Sequence, residues 1–369
     1  MDRGRAHSVE VLALGVYPAQ AAATRFRLLQ LVEPLRRKGI NLRFSSMLDA
    51  NAFETLYDRG KWRSTTLGLI RGAVRQLAQI LRSRRTDIVL VQRQALIAGP
   101  PLAEWIAIRR HRCPLVLDLD DPTYLQMTSP TYGTRISLIR PAGKTDALIR
   151  RSSLVLCGSP AVAEHAKSLG AETVILPTVV DTEVFAPRST LDELGAPVIG
   201  WVGSHSTYEH VEPLFPVLEA LARRHSFSVR VVGSGRTTVP LPAGMVEVVP
   251  WTMGSDVANF QALDIGLYPL GNDRWSQGKS GLKAIQYMAV GVPFVCSPVG
   301  ILAEIGQPGR THLEATNLQE WEATLEQLLT NPRLRSQMGR AGRSYCLAHY
   351  TTAITAERLA GSLKEVLRR

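Results

Sequence analysis

Short, almost wholly apolar runs alternate with longer amphipathic stretches along the first half of the chain. VEVLALG (9–15), INLRFS (40–45), DIVLVQ (87–92), CPLVLDL (113–119), SLVLCGS (153–159) and ETVILP (172–177) have the length and continuous hydrophobicity of buried parallel strands. Between them, apolar residues at helical spacing predict helices near 24–38, 64–84 and 160–169. A polar connector bearing prolines, FAPRSTLDELGAP, interrupts the rhythm. It restarts with VIGWVGS (198–204), a helix near 209–224, SVRVVGS (228–234), MVEVVP (245–250), DIGLYPL (264–270), a helix opening at Gly281, and VPFVCS (292–297). Successive helices are predicted from about Leu318 to Arg369. This βαβ alternation predicts an α/β chain of two Rossmann-like domains, 1–186 and 198–345, joined by a linker at 187–197. A last helix within 346–369 is expected to pack back toward the first domain.

The composition, 45% hydrophobic and 20% charged over 369 residues, is that of a soluble globular protein with room for two cores. No apolar run approaches the roughly 18–20 residues of a membrane span. The opening MDRGRAHSVEVLALGVYPAQAAA imitates a secretory signal, but its apolar patch is short and holds Glu10, so it reads as a first buried strand. Cys113, Cys157, Cys296 and Cys346 are widely spaced without a metal-ligand pattern, which fits reduced structural thiols in a cytoplasm.

Charge changes the picture more than composition does. Of a net +11, residues 1–186 carry nearly everything, with 26 Lys and Arg against 16 Asp and Glu. Such a one-sided field suggests an anionic partner: a bilayer surface, a polyanion or a phosphorylated substrate. The stretch 61–85 places Leu67, Ile70, Val74, Leu77 and Leu81 on one helical stripe, with Arg71, Arg75, Arg82 and Arg85 off it and Trp62 at its start. A basic amphipathic helix of this kind, Trp62 to Arg85, either lies on an anionic membrane or packs its apolar stripe on the sheet.

In open α/β sheets ligands gather beyond the carboxyl ends of the strands, and three such segments carry chemistry. Asp118, Asp120 and Asp121 crowd three carboxylates into four residues after the fourth strand, where like-charge repulsion is expected to raise at least one pKa. Such groups suit a sugar hydroxyl or a proton; with no second acidic or histidine cluster, a metal site is not expected. Arg25 and Arg27 open the first helix and are candidates to meet an anion there. The loop GVYPAQAAATRF lacks a dinucleotide-binding glycine fingerprint, so NAD is not supported. Lys279 and Lys283, two of only seven lysines, stand four residues apart in GKSGLKAIQYMA; on a helix starting here they share one face, which suits a diphosphate.

At this point the residues resemble a known family. DIGLYPLGNDRWSQGKSGLKAIQYMAVGVPFVCSPVG is similar to the donor region of glycosyltransferase family 4, the retaining group 1 glycosyltransferases of GT-B fold. LPTVVDTEVFAP resembles the family's interdomain segment, and PLVLDLDDPTY the segment where many members carry a His-Asp pair, with Asp120 at the His position. The resemblance implies two Rossmann-like domains facing each other across a cleft, a nucleoside diphosphate sugar held by the second domain, an acceptor held by the first, and no obligatory metal or other cofactor. The Arg and Lys that the family places early in its second domain are missing here before Arg223, so Lys279 and Lys283 are expected to neutralise the diphosphate in their stead; Asp120 is the catalytic-side carboxylate, and donor contacts are expected from backbone groups of Gly203 and Ser204 and from Lys279, Ser280, Gly281, Lys283 and Gln286. Arg25, Arg27, Asp118 and Asp121 stand on the acceptor side. Two glutamates of the family pattern are replaced here by Gly278 and Gln286.

The leading expectation is a cytoplasmic, retaining glycosyltransferase acting on a lipid-linked or cell-surface glycan, with a peripheral station on the inner membrane face through the helix near Trp62–Arg85. A nucleotide-sugar epimerase of the same fold and a non-catalytic nucleotide- or glycan-binding protein are the alternatives. Nucleic-acid binding ranks last, because the arginines are not interleaved with aromatics.

Overall fold

Each of the eleven apolar runs becomes a strand. The computed structural model describes residues 8–56, 62–125, 143–189 and 195–369, so the N-terminal 1–7, Lys61 and 190–194 of the expected linker lie outside the described residues. The chain divides into two units. Unit 1 comprises the chain to Thr178, Gly278–Ser280 and Thr352–Arg369; unit 2 comprises Val179–Gln277 and Gly281–Thr351.

In unit 1, β1 (Val9–Gly15), β2 (Ile40–Ser46), β3 (Ile88–Gln92), β4 (Leu115–Leu119), β5 (Leu154–Cys157) and β6 (Thr173–Ile175) form a parallel sheet in the order β2-β1-β3-β4-β5-β6. Alternate residues serve opposite faces. Leu12, Leu14, Val89 and Val91 pack with Ile80, Ala103 and Ala107 on one side. Val11, Ala13, Leu90 and Val116 pack with Leu31, Leu35 and, from helix Thr352–Arg368, Leu359 and Leu363 on the other.

In unit 2, β7 (Val198–Val202), β8 (Ser228–Val232), β9 (Val246–Val249), β10 (Ile265–Tyr268), β11 (Phe294–Cys296) and β12 (Leu313–Glu314) form a second parallel sheet, β12-β11-β10-β7-β8-β9. Ile199, Trp201, Val229 and Val231 are buried against Leu214, Leu218 and Leu221, and against Trp321, Leu325 and Leu328 of helix Leu318–Thr330. The two-residue β12 has no apolar run of its own and is invisible in the sequence pattern.

Three helix expectations change. Residues 24–38 form helix Ala22–Arg27, a 3-10 turn Leu29–Leu31 and helix Val32–Arg36, since Pro34 has no N–H to give to the carbonyl four residues back. Residues 209–224 split likewise, at Pro213 and Pro216, into Tyr208–Val211, Glu212–Leu214 and Phe215–Ala222.

The third concerns helix Trp62–Arg82, which forms with its apolar stripe turned outward: Leu67, Ile70, Val74 and Leu81 are exposed and only Leu77 is partly packed. The side facing the sheet is Gly72, Gln76 and Ile80. A Cβ at Gly72 would stand 2.6 Å from the Met47 carbonyl oxygen, and Gln76 exchanges hydrogen bonds with Ser45 (2.7 and 3.2 Å). Close backbone approach and satisfied amide bonds therefore decide which face goes in. Among the described residues no helix is long and apolar enough to cross a membrane.

A stack of rings runs through unit 2. Tyr287 lies over Gly266, where a Cβ would come within 2.4 Å of the ring, and continues through Phe294 (5.5 Å) to His312 (5.0 Å, planes 11° apart). His312 is fully buried, its Nδ1 within 2.9 Å of Thr311 Oγ1 and its Nε2 3.6 Å from Glu314. Burial pushes its imidazole down to about 4. The folded protein thus resists a proton that an unfolded histidine takes near 6.5, so this contribution is complete above about pH 6.5 and lost as the pH falls toward 4. It is worth roughly 3 kcal/mol. His312→Phe, which keeps the stack, should remove that part of the acid loss in denaturant titrations between about pH 7 and pH 4; an unchanged pH profile would show that His312 is not its source.

Candidate functional site

In unit 1 the polar side chains collect beyond the carboxyl ends of β1, β3, β4 and β5. Gln92 closes β3 and ties down the start of helix Ala22–Arg27, its Nε2 donating to the Ala23 carbonyl at 2.9 Å while Thr24 Oγ1 donates to the Tyr17 carbonyl at 2.9 Å. That fixes Arg27, which is buried and runs its guanidinium onto Asp118 at 2.7–3.1 Å, with a further bond to the Leu176 carbonyl. The anion expected at Arg27 is therefore the chain's own carboxylate, and both residues are built into the interior. Arg25 lies with its guanidinium 4.8 Å from the Phe26 ring.

Asp120 has a different arginine, one that sequence reasoning passed over. Arg93 follows directly on β3 and adopts a left-handed backbone, φ 59°. Its N–H donates to the Asp118 carbonyl at 2.8 Å. This geometry aims the side chain at Asp120, which it grips with two bonds of 2.5 and 2.7 Å, and at Asp121, which accepts a third. The expected repulsion among the aspartates is thus answered by one guanidinium on each side. Burial, more than its neighbours' charge, raises the pKa of Asp118. Burial works against ionisation of Asp120 too, but Arg93 outweighs it and holds that carboxyl below the ordinary range. Asp120 is therefore a fixed carboxylate, able to accept a hydroxyl hydrogen bond and unsuited to delivering a proton. A strand-end arginine in DIVLVQR is the signal that would have found Arg93.

Gly278–Ser280 belongs to the same unit. The Gly278 carbonyl accepts a 3.0 Å bond from Ser159 Oγ, the residue capping helix Pro160–Ser168, and a Cβ on Gly278 would lie 2.5 Å from Pro122. No side chain fits there, which accounts for glycine where the resembled family has glutamate. Lys279 and Ser280 are half-buried.

In unit 2 the corresponding strand ends are those of β10, β7 and β8, neighbours in the sheet. Helix Leu282–Ala289 begins only after Gly281, whose φ of 69° breaks the run. Lys283 is in its first turn and Lys279 outside it, so the two lysines do not share a helical face. Lys283 Nζ stands 5.4 Å from the centre of the Tyr268 ring, at the end of β10. Gln286 is buried in the next turn.

At the end of β7 the backbone groups expected to face a phosphate are engaged: Gly203 N–H donates to the Val232 carbonyl at 3.0 Å and Ser204 N–H to Thr207 Oγ1 at 3.2 Å. Exposed hydroxyls of Ser204 and Ser206, 2.9 Å apart, are what the loop presents instead. The end of β8 supplies a cation missed in the sequence. The turn at Gly233 and Gly235, both with φ above +70°, brings Arg236 over the Tyr208 ring at 4.6 Å, so the strand ends on either side of β7 each present a cation laid on a tyrosine. Among the described residues no group of three or more His, Cys, Asp or Glu is arranged to hold a metal.

Removing Arg93 would leave the Asp120 carboxylate buried without its partner. Arg93→Ala should cost roughly 3 kcal/mol in denaturant titrations at neutral pH, and Arg93→Gly about 1 kcal/mol less because glycine adopts the left-handed backbone freely. The deficit should shrink as the pH falls through the carboxylate range, where the stranded Asp120 takes a proton. Equal losses at all pH values would mean that the pair carries no net charge energy.

Residues 196–331 match the family model described as glycosyl transferases group 1. No curated protein resembles the chain significantly in sequence. Among solved structures the fold is similar to that of a glycosyltransferase from Rickettsia africae (12% identity, 98% and 99% of the two chains, TM-score 0.70). It is also similar to Anabaena HepE in complex with UDP-glucose (15%, 96% and 99%, TM-score 0.69) and to sucrose-phosphate synthase of Thermosynechococcus elongatus (15%, 98% and 99%, TM-score 0.68). Residues 196–331 of the second unit thus match a group 1 glycosyltransferase domain, and the chain has the α/β fold of the GT-B glycosyltransferases.

Proposed function

We propose that the protein transfers a sugar from a nucleoside diphosphate sugar, with UDP as the carrier, to the hydroxyl of a glycan or lipid-linked acceptor, with retention at the anomeric carbon. The observation that carries this is the pair of cations, Lys283 and Arg236, at the ends of β10 and β8, the two strands that flank β7, in a domain matching the group 1 glycosyltransferases. UDP as carrier is supported by the likeness to HepE, whose structures contain UDP-glucose and UDP.

In this reading unit 2 holds the donor. The bond between the anomeric carbon and the diphosphate oxygen breaks, charge builds on that oxygen, and Lys283 and Arg236 neutralise it. Charge stabilisation of this kind is commonly the largest catalytic contribution. Gln286 hydrogen-bonds the ribose, and the hydroxyls of Ser204 and Ser206 take the donor contacts first assigned to backbone groups of Gly203 and Ser204. Gly281 supplies the turn that starts the lysine-bearing helix, and Ser280 stands beside Lys279. Unit 1 holds the acceptor. Asp120, kept ionised by Arg93, accepts a hydrogen bond from a sugar hydroxyl and Asp121 supports it. The acceptor oxygen bonds the anomeric carbon and its proton passes to the departing phosphate oxygen, so no separate base is required.

Gly278 favours a second reading, binding of the nucleotide sugar without turnover, because a side chain touching the donor sugar is absent where the resembled family has a glutamate. The two separate in one experiment: incubation with UDP-glucose and related UDP-sugars, with and without glycan acceptors, following UDP release and the anomeric configuration of the product by NMR. Transfer with retention supports the first, and Lys283→Ala should then lower kcat about 100-fold. Saturable UDP-sugar binding with no release of UDP supports the second. An altered UDP-sugar formed without acceptor would contradict both.

A further inference from the structure

Helices Trp62–Arg82 and Leu102–His111 lie side by side on one face of the unit 1 sheet, since Ile80 of the first and Ala103, Ala107 and Ile108 of the second enter the same buried cluster. Their outer surfaces therefore point the same way. That surface is apolar to a degree an ordinary solvated face is not: Leu67 (47% exposed), Ile70 (58%), Val74 (63%) and Leu81 (56%) are exposed on the first helix, and Leu102 (54%) and Trp105 (37%) on the second. From Leu67 to Leu81 the stripe runs about 20 Å along the helix. Contiguous patches of this extent mark interaction surfaces.

The charge around the patch selects the partner. Helix Trp62–Arg82 contains no acidic residue. Exposed Arg71, Arg82, Arg84 and Arg85 accompany the first helix, and exposed Arg109 and Arg110 the second. Nearby acids are largely withdrawn: Glu104 is buried and accepts from the Ala95 N–H, and Asp49 is paired with Arg75, while Glu54 is exposed on the neighbouring helix Ala50–Thr55. An apolar strip sinks a few ångströms into the interface between headgroups and acyl chains while the arginines at its edges meet anionic headgroups. A soluble partner protein would need one large acidic rim around an apolar ridge; an anionic bilayer offers both as a matter of composition.

We infer that this two-helix face seats the protein on an anionic membrane surface as a peripheral, non-spanning contact. The full chain is floated with vesicles of phosphatidylcholine alone and of phosphatidylcholine mixed with phosphatidylglycerol. Binding is expected only to the anionic vesicles, to weaken with added salt, to fall about tenfold or more in Ile70→Glu/Val74→Glu, and to fall roughly fivefold in Arg82→Gln. Both variants change exposed positions and should keep the thermal midpoint of the parent. Lys283→Ala should bind vesicles as the parent does, so the result stands apart from the donor-site reading. Absence of binding, equal binding to neutral vesicles, or binding indifferent to Ile70→Glu/Val74→Glu would overturn it. So would a dimer in sedimentation velocity that the same variant dissociates, since the face would then belong to a second copy of the chain.

Discussion

Parallel strand pairing is the constraint on which the rest depends. Every strand of both sheets runs the same way as its neighbours, so all carboxyl ends of a sheet emerge on one edge and the loops there cannot be occupied by tight hairpins. Polar residues that the buried strands cannot accept collect at that edge. In unit 1 they are Thr24, Gln92, Arg93 and the three aspartates; in unit 2 they are the serine loop after β7, Arg236 and Lys283. The interior charge this creates must then be paired, and the pairing shapes the site. Arg27 is committed to Asp118 and Arg93 to Asp120 and Asp121, so three carboxylates within four residues coexist without any of them serving as an exposed base. What remains for chemistry in unit 1 is the acceptor capacity of a fixed carboxylate, which orients hydroxyls more readily than it moves protons.

Unit 2 shows the complementary case. Its strand ends carry cations set against aromatic faces: Lys283 by Tyr268, Arg236 by Tyr208. A tyrosine ring positions a cation while leaving much of its charge available to a third group, whereas a carboxylate would cancel it. An anion arriving at the end of β7 would have one such positioned charge on either side.

The sheets were readable from the sequence because buried parallel strands are continuous apolar runs, and only the two-residue β12 escaped. Helix interruptions at Pro34, Pro213 and Pro216 were marked in the sequence, but the apolar spacing around them suggested continuity. Helix Trp62–Arg82 is the case the sequence left open: its most hydrophobic stripe is outside, because Gly72 admits the Met47 carbonyl and Gln76 is satisfied by Ser45, and neither contact has any hydrophobic signature. Among candidate site residues, Asp120 and Lys283 were legible as charged residues beyond strand ends. The partners that set their roles were not. Arg93 and Arg236 come from strands whose adjacency to β4 and β7 is a matter of sheet order, which spacing along the chain does not encode, and the left-handed turn at Gly281 removes Lys279 from the helix that simple spacing assigns it.

The central claim is that the strand ends of unit 2 recognise a diphosphate. Calorimetric titration of the full chain with UDP, UMP and uridine tests it directly. The account predicts that UDP binds well over tenfold more tightly than UMP, and that this gap collapses in Lys283→Ala and narrows in Arg236→Ala while uridine binding is unchanged. UDP and UMP binding with equal affinity, or a gap untouched by either substitution, would contradict it.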